Sequence, residues 1–293
     1  MPDHLEEPVV DIARLNWSTL RHIATSPALL KWRRDHPMED TPALTLGRAL
    51  HCLLLEPQEF ERRWVTSAPC AATKKSGEPC TAAGSLYLDG AWYCKVKGHA
   101  PAGAGDLPEG IESIDAKERE LAKVCAQRIG EHRIASDTLR GGKAEEALEW
   151  TDEETGIACR GRLDWLRPDY VVDVKTTRTE TPREFVQDAA RMRYHGQLAW
   201  YHFGAIAAGR LAVDAPPPRI VAVSTSEPYD VAVYEFVPAA LEAGRLCFRE
   251  LLDRYIECQA ADWWPGHSPD LQAFDLPNWA DGVAAVEMRG ATL

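Results

Sequence analysis

The sequence has no apolar run of the about 18 residues that a membrane-spanning helix needs, and it has no internal repeat. Its first residues, 1–14, include acidic side chains and no apolar segment of the kind found in signal peptides. We therefore expect a cytoplasmic protein with no membrane partner. With 45% hydrophobic and 27% charged residues, the composition is that of a globular protein with a substantial core.

Positive charge is also scarce. Lys and Arg together number 33 against 45 Asp and Glu, so the formal net charge is −12. This balance argues against a protein that coats nucleic acid by bulk electrostatic attraction. It leaves open an enzyme that grips DNA locally and holds metal ions with carboxylates, because bound cations offset acidic side chains.

Eight cysteines are present, and in the cytoplasm they are expected as free thiols or metal ligands rather than disulfides. Cys70, Cys80 and Cys94 lie in one stretch and are followed by His99. Three thiolates and one imidazole are a suitable tetrahedral set for structural zinc. A stretch this poor in aliphatic side chains also needs a metal to fold. We predict a zinc-binding minidomain over residues 67–107; a flexible loop with incidental cysteines is the alternative.

The rest of the chain is typical of an α/β domain into which this minidomain is inserted. Residues 1–66 are expected as a helical N-terminal part, 108–262 as the core and 263–293 as a tail. Ser18 and Ser26 are expected as helix N-caps, and Pro57 closes a helix over Thr45–Glu56. Ile111–Leu139 predicts an amphipathic helix, and 147–177 predicts three strands joined by turns. Helices are expected at 182–191, 194–208 and 238–261, and strands at 220–224 and 231–236.

Asp164, Asp173 and Lys175 point to a chemical function. Alternation along the strand V-V-D-V-K-T-T places Asp173 and Lys175 on one face, and the preceding turn folds Asp164 back towards them. Two carboxylates can hold Mg²⁺ or Mn²⁺, which activates water and offsets charge in phosphodiester hydrolysis. The lysine can orient the water or, if burial lowers its pKa, accept its proton. A hairpin with solvated edge charges is the alternative.

Three further residues add to this set. His51 lies on the apolar stripe of the Thr45–Glu56 helix, where a histidine is either a hydrogen-bonded core residue or a ligand. Gln197 and Tyr201 are four apart, so both project from one face of the helix after the D-V-K strand. Taken alone, this spacing is typical of an ordinary helix surface.

Together these elements resemble a known family. The series G-x-x-x-H, L-L-L-E-P, G-R-L-D, D-V-K-T-T and Y-x-x-Q-x-x-x-Y is similar to the ordered motifs of the RecE (exonuclease VIII) family and its RecB-like relatives, over about Leu15 to Glu257. The resemblance implies a PD-(D/E)xK, restriction-endonuclease-like core whose central mixed sheet is flanked by helices. It also implies a metal-dependent exonuclease that degrades double-stranded DNA 5′→3′ in recombination.

Carried over by position, the resemblance assigns roles to individual residues. Lys175 would be the catalytic lysine, and Gln197 and Tyr201 would position the scissile phosphate or the DNA end. Glu56 matches a motif position without an assigned role. Leu163 stands where the namesake proline would precede the first aspartate, as in many RecB-like members. The implied Mg²⁺ or Mn²⁺ ligands are His51, Asp164, Asp173 and the backbone carbonyl of Val174.

The resemblance also implies partners. RecE-like enzymes act on double-stranded DNA ends, usually with a RecT-like single-strand annealing protein, and assemble into homo-oligomeric rings, possible tetramers included. Two other functions stay open at this point. One is an endonuclease or repair nuclease of the RecB-like kind. The other is a catalytically inactive DNA-binding or scaffold protein on the same fold, against which the intact Asp164, Asp173 and Lys175 weigh.

Overall fold

The computed structural model describes residues 14–36, 40–179, 181–268 and 270–275. Its elements, in chain order, are helices and strands with a short 3₁₀ helix at Arg21–Ala24. They are α1 (Trp17–Leu20), α2 (Pro27–Asp35), α3 (Pro42–Leu55), α4 (Pro57–Arg63), β1 (Trp64–Thr66), β2 (Leu86–Leu88), β3 (Ala91–Tyr93), β4 (Glu112–Ile114), α5 (Ala116–Glu131), α6 (Arg133–Thr138), β5 (Lys143–Thr151), β6 (Ala158–Leu166), β7 (Val171–Thr177), α7 (Pro182–Arg191), α8 (Tyr194–Ala207), β8 (Arg219–Ser224), β9 (Val231–Glu235) and α9 (Pro238–Ala261).

A five-stranded mixed sheet forms the centre of the fold, with the strand order β5-β6-β7-β8-β9. β7 and β8 are parallel, and the other neighbours are antiparallel. The parallel pair requires a crossover, which α7 and α8 supply. The predicted α/β class and the mixed sheet flanked by helices are confirmed.

Helices cover both faces of the sheet because both faces carry apolar side chains. On one face, Leu50 of α3 and Cys125 of α5 pack with Val172 and Val174 of β7. On the other face, Leu163 of β6 packs with residues of α8, and α9 packs on α8 through a second cluster. The first part of β7, Val171 to Val174, is therefore buried, and its last three residues are half-buried.

The segment between β1 and β4 leaves the core and returns to the same place. β1 and β4 pair in parallel, with Trp64 opposite Glu112 and Thr66 opposite Ile114. Between them lies the antiparallel hairpin of β2 and β3. The Trp92 indole N–H donates to the Thr66 carbonyl at 2.9 Å, which holds the hairpin against the exit point. The two ends of the segment are thus neighbours, and its description as an inserted minidomain over 67–107 stays a prediction.

Several local predictions needed correction. Asn16, not Ser18, caps α1, whereas Ser26 caps α2 as expected. α3 begins at Pro42, earlier than predicted, because Thr41 caps it. The predicted helix over Ile111–Leu139 is wrong in its first part: β4 precedes α5, and α5 and α6 are separate helices.

The C-terminal tail is described only in its first part. Trp264 packs edge-on against Tyr255 of α9, and the Pro265 carbonyl accepts a hydrogen bond from the Ala28 amide at 3.0 Å. The rest of the predicted tail, 276–293, lies outside the described residues. Among the described helices, none is both long and apolar enough to span a membrane.

Candidate active site and metal centre

The site lies where β6 and β7 diverge. Their ladder stops at Trp165 opposite Val172, so the next amide of β7 finds no partner on β6. The Asp164 side chain takes that position: its Oδ2 accepts a hydrogen bond from the Val174 N–H at 2.7 Å. The carboxylate thereby fills the gap between the strands, and its second oxygen is directed towards α3.

Asp173 and Lys175 share one face of β7 and form an ion pair, as alternation predicts. Asp173 is only 1% exposed, and its Oδ1 has no hydrogen-bond partner. Burial raises the pKa of Asp173 to about 6, against the lowering effect of Lys175. Burial lowers the pKa of Lys175, but the charges of Asp173 and Asp164 outweigh it and raise that pKa above its ordinary value.

The direction of the Lys175 shift bears on its chemistry. A lysine with a raised pKa stays charged at neutral pH, so it cannot accept a proton from water. Of the two roles considered for it, orienting a water or phosphate by charge and hydrogen bonding fits this arrangement. The condition for the proton-accepting role, a pKa lowered by burial, is not met here.

His51 brings α3 to the same place. Its Nε2 lies 2.9 Å from the Val174 carbonyl oxygen, and its Nδ1 lies 3.5 Å from Asp164 Oδ1. The imidazole is thus bracketed by two oxygens that were both assigned to a metal. The neighbours of His51 are thus the other candidate ligands, and its role as a metal ligand stays a prediction.

α8 contributes the far side of the site. The Gln197 amide donates to the Tyr201 hydroxyl at 3.3 Å, so the two residues act as one unit. Burial raises the pKa of Tyr201 to about 12, and the charges of Asp173 and Lys175 reach its hydroxyl. Tyr194 was not singled out by sequence, although it begins the Y-x-x-Q-x-x-x-Y motif. The Lys175 ammonium lies 5.2 Å from the centre of its ring.

Glu145 is the acidic residue that sequence reasoning missed. It lies on β5 opposite Asp164, its backbone has a φ of +48°, and its carboxylate pairs with Arg162 at 2.7 Å. A carboxylate oxygen of Glu145, one of Asp164 and a ring nitrogen of His51 all lie within 4.8 Å of one another. Burial, and then the charge of Asp164, raise the pKa of Glu145.

A cavity of about 260 Å³ opens onto this group. Glu56, whose role the motifs left open, lines it and lies 4.0 Å from Arg63. Cys52 and three arginines, Arg48, Arg63 and Arg162, line the cavity as well. Within this lining, the group of His51, Glu145 and Asp164 offers carboxylate oxygens and an imidazole, a set suited to Mn²⁺ or Mg²⁺ rather than to a softer metal. The buried Asp173 Oδ1 without a partner fits the same conclusion, because an unpaired buried carboxylate oxygen is costly.

The inserted segment forms a second possible metal centre. The Cys70 and Cys94 sulfurs lie 3.8 Å and 3.2 Å from His99 Nδ1, and the Cys80 and Cys94 sulfurs lie 3.9 Å apart. All four ligand atoms are within 4.8 Å of one another. Zinc–sulfur bonds of about 2.3 Å in a tetrahedron place sulfurs about 3.8 Å apart, so the set fits zinc.

The pKa values of Cys70 and Cys94 shift in opposite directions. For Cys94, a backbone hydrogen bond at Val96 lowers the pKa, but burial and the neighbouring Cys70 and Cys80 thiols raise it above its ordinary value. All eight cysteines are free, and the three in the insert are buried. Burial works to raise the pKa of Cys70, but hydrogen bonds at the backbone of Cys94 and Ala72, and from Cys94 and His99 side chains, bring it down to about 6. A thiol that ionises below neutral pH is a ready metal ligand.

A family model matches residues 107–277 of the chain, more than half of its length. The family is described as a PDDEXK-like domain of unknown function (DUF3799). The chain belongs to this family. The match begins where the insert ends and includes Glu145, Asp164, Asp173 and Lys175. The chain is therefore built on the PD-(D/E)xK nuclease fold, as the motifs predicted.

Solved structures agree on the fold. A protein from Eubacterium rectale, described as a putative exonuclease, is similar with a TM-score of 0.56 and 12% identity, over 96% of this chain and 99% of its own. At this identity the likeness concerns the fold alone. A second structure, SSO0001, has a TM-score of 0.27 and 12% identity over 48% of this chain and 61% of its own, too low to carry an argument. No curated protein matches the chain.

Proposed function

We propose that this protein is a Mg²⁺-dependent exodeoxyribonuclease of the RecE-like type, which degrades double-stranded DNA 5′→3′ from its ends in recombination. One observation carries the hydrolytic part of the proposal: Asp164, Asp173 and Lys175 converge with His51 at the point where β6 and β7 diverge. A protein that only binds DNA needs no such buried set of opposite charges, which is costly to assemble.

Each residue has a distinct task in this proposal. His51, Asp164, Asp173 and the Val174 carbonyl hold the cation, which supplies an activated water and offsets charge on the phosphate. Lys175 stays protonated and directs its ammonium at the water or at a phosphate oxygen. The cation–π contact with Tyr194 fixes the lysine's direction. These tasks follow from the motif positions. His51 lies within 3.5 Å of Asp164 and of the Val174 carbonyl oxygen, whereas Asp173 is not part of the His51, Glu145 and Asp164 group whose ligand atoms lie within 4.8 Å of one another.

Gln197 and Tyr201 are proposed to position the scissile phosphate. With a pKa of about 12, the Tyr201 hydroxyl keeps its proton at neutral pH and can donate a hydrogen bond to a phosphate oxygen. Because Gln197 donates to that hydroxyl, the direction of the Tyr201 donor bond is restricted. The pair therefore serves as an oriented hydrogen-bond donor on the side of the site opposite α3.

An arginine-lined path for the DNA backbone lies beside the site. A cavity of about 380 Å³ beside it is lined by Arg160, Arg162 and Tyr201, and it shares Arg160 with a larger one of about 520 Å³. Four more arginines line the larger cavity. In a chain of net charge −12, such a concentration of arginine favours a phosphate-bearing ligand. The additional arginines are Arg14, Arg21, Arg33 and Arg34.

The insert is proposed to bind one structural zinc through Cys70, Cys80, Cys94 and His99. Zinc would act as the core of a segment with few buried apolar side chains, leaving the nuclease chemistry to the other centre. Metal analysis of protein purified without chelator tests this: one zinc per chain is expected, and Cys94→Ser should lose it. Cys247→Ser, outside the cluster, is the control. Zinc-free wild-type protein would contradict the assignment.

The RecE-like part of the proposal rests on the order of the motifs and on a fold shared with a protein described as a putative exonuclease. By that resemblance the partners would be a single-strand annealing protein and further copies of this chain in a ring. Size measurement in solution tests the ring directly. A monomer at micromolar concentration would contradict the oligomer but not the hydrolysis.

End dependence distinguishes the possible tasks of this fold. Linear duplex DNA and the same DNA as a covalently closed circle are each incubated with the protein and Mg²⁺. Degradation of the linear form alone, with a 5′ label released first, is the expected result. Cutting of the closed circle would favour an endonuclease, and binding without cleavage of either form would favour an inactive scaffold.

A further inference from the structure

Glu145 occupies a break in the regular pleat of β5. Ala144 packs with the α3 side of the sheet, whereas Leu148, four residues later, packs with the α8 side. In an unbroken strand these two residues would face the same way. The φ of +48° at Glu145 accounts for the change of face. The break lies opposite Asp164 in the strand register, so it occurs at the active site.

The Glu145 carboxylate faces the cavity on the α3 side of the sheet, the side that Ala144 shares across the break. Its side chain is 19% exposed, and it shares the cavity with His51, Asp164 and Glu56. The next residue, Glu146, points to the other face and pairs with Arg210. Backbone strain of this kind persists only where the surroundings impose it, and it is concentrated at functional sites.

A second observation, separate from the backbone, points to a cation at this place. The group within 4.8 Å combines carboxylates with the ring of His51, which is a metal-ligand set rather than a solvated acidic patch. Nearby, the fully buried Asp173 keeps one oxygen without a hydrogen-bond partner, and the charges of Asp164 and His51 act on it. Arg48 and Arg63 also line the cavity, where both pair with Glu112. Asp164 is paired with His51.

Arg162 currently supplies part of the charge balance of Glu145. It pairs with Glu145 at 2.7 Å, yet its own side chain is 64% exposed, so it approaches the carboxylate from solvent. An exposed arginine is easily exchanged for a metal ion, because such an ion pair contributes little free energy. Arg162 also lines the adjacent cavity with Arg160. Its guanidinium is thus placed between the carboxylate and the proposed path of the DNA backbone.

We propose that Glu145 is a further ligand of the divalent cation held by His51 and Asp164, and that cation binding releases Arg162 to bind a phosphate of the DNA. The inference rests on the proposed nuclease function and adds to it. The cation and the substrate are then coupled through one side chain: metal binding frees the arginine that binds the phosphate.

Metal binding is measured first, by calorimetric titration of Mn²⁺ into the full-length protein without DNA. Glu145→Gln keeps the size of the side chain and removes its charge. It should weaken Mn²⁺ binding by about tenfold or more. Glu146→Gln, one residue away on the opposite face, should bind Mn²⁺ as the wild type does. Circular dichroism and thermal melting establish that both variants are folded, and Glu145→Asp gives a second variant if Glu145→Gln is not.

Release of Arg162 is measured with Arg162→Gln. Its Mn²⁺ affinity should be unchanged or higher, because a competitor for Glu145 is gone. Its affinity for duplex DNA, measured with Ca²⁺ to prevent cleavage, should fall about threefold or more. Weaker Mn²⁺ binding by Arg162→Gln would overturn the exchange, since the ion pair would then be orienting the ligand rather than competing with the metal.

The remaining outcomes are decisive as well. Wild-type Mn²⁺ affinity in Glu145→Gln overturns the assignment, and so does a wild-type protein that takes up no Mn²⁺ at millimolar concentration. A wild type that binds Mn²⁺ through Glu145 but leaves all DNA intact supports the ligand and contradicts the nuclease. A failure of the Glu145 assignment is thus distinguished from a failure of the proposed nuclease function.

Discussion

The Asp164 carboxylate binds the backbone of Val174: its Oδ2 accepts the Val174 N–H at 2.7 Å, where strand pairing between β6 and β7 has ended. The Asp164 side chain thereby has two functions. It satisfies a buried amide that has no strand partner, and it presents its other oxygen to His51. Because the strands diverge at this point, the Asp164 side chain fills the gap between them, and this places the proposed metal ligand.

Two substitutions of Asp164 separate these functions. Asp164→Asn keeps an oxygen that can accept from Val174 and loses the charge, so stability should change little while Mg²⁺-dependent cleavage is abolished. Asp164→Ala also leaves the amide unpaired and should lower the free energy of unfolding by about 1–2 kcal/mol. Urea denaturation and a nuclease assay measure the two effects. Equal stability losses in both variants would contradict this reading.

The hydroxyl of Tyr201 is expected to matter for turnover and not for folding. Tyr201→Phe keeps the ring that packs against Gly161 and removes the donor that Gln197 orients. Activity on linear duplex should fall about tenfold or more, as for the loss of one oriented donor. Tyr170→Phe, which removes a hydroxyl bonded to Arg219 away from the site, is the control. Full activity of Tyr201→Phe would remove Tyr201 from the mechanism.

The contact between α8 and α9 depends on a glycine. A Cβ at Gly244 would lie 2.2 Å from the His195 carbonyl oxygen and 2.8 Å from the Ala199 Cβ. Gly244→Ala should therefore force the helices apart and lower the free energy of unfolding by about 1–3 kcal/mol. Gly47→Ala on α3, where nothing lies within 4 Å, should instead stabilise by up to about 1 kcal/mol. Thermal melting of the two variants checks the opposite signs.

His202 should make stability depend on pH. Burial lowers its pKa to about 4, and its Nδ1 has no hydrogen-bond partner. A histidine with a lowered pKa in the folded state takes up its proton mainly when unfolded. Stability is therefore complete above about pH 6.5 and falls as the pH drops towards 4. From about pH 7.5 to 5.5, His202 should lower the free energy of unfolding by about 1 kcal/mol. In His202→Leu, urea denaturation should show a free energy of unfolding that no longer carries this part of the pH dependence. An unchanged pH dependence would contradict it.

Much of the site follows from local periodicity. Because side chains alternate along a strand, Asp173 and Lys175 had to share a face of β7, and helical spacing put Gln197 beside Tyr201. α9 begins and ends where its pattern predicts, since Pro238 is its first residue and Asp262, in the left-handed conformation, caps its end. These predictions needed only neighbours in the chain.

Other features depend on contacts that no local pattern contains. β5 carries three glutamates, and no local pattern selected Glu145, because its place in the site depends on its nearness to His51 of α3 and Asp164 of β6. Asn16 displaced Ser18 as the cap of α1 because its side chain, two residues earlier, reaches the Thr19 amide. The residues of β4 were predicted as part of a helix, because they form a strand only by pairing with β1, which is distant in the sequence.

The most direct test of the account compares wild type with Lys175→Ala on linear duplex DNA, with and without Mg²⁺. Lys175 is predicted to act by charge on water or phosphate, so its loss should abolish Mg²⁺-dependent hydrolysis while Mn²⁺ binding persists. Asp173→Ala should also abolish hydrolysis in a folded protein. Continued degradation by Lys175→Ala at the wild-type rate would contradict the assignment of this site as the catalytic centre.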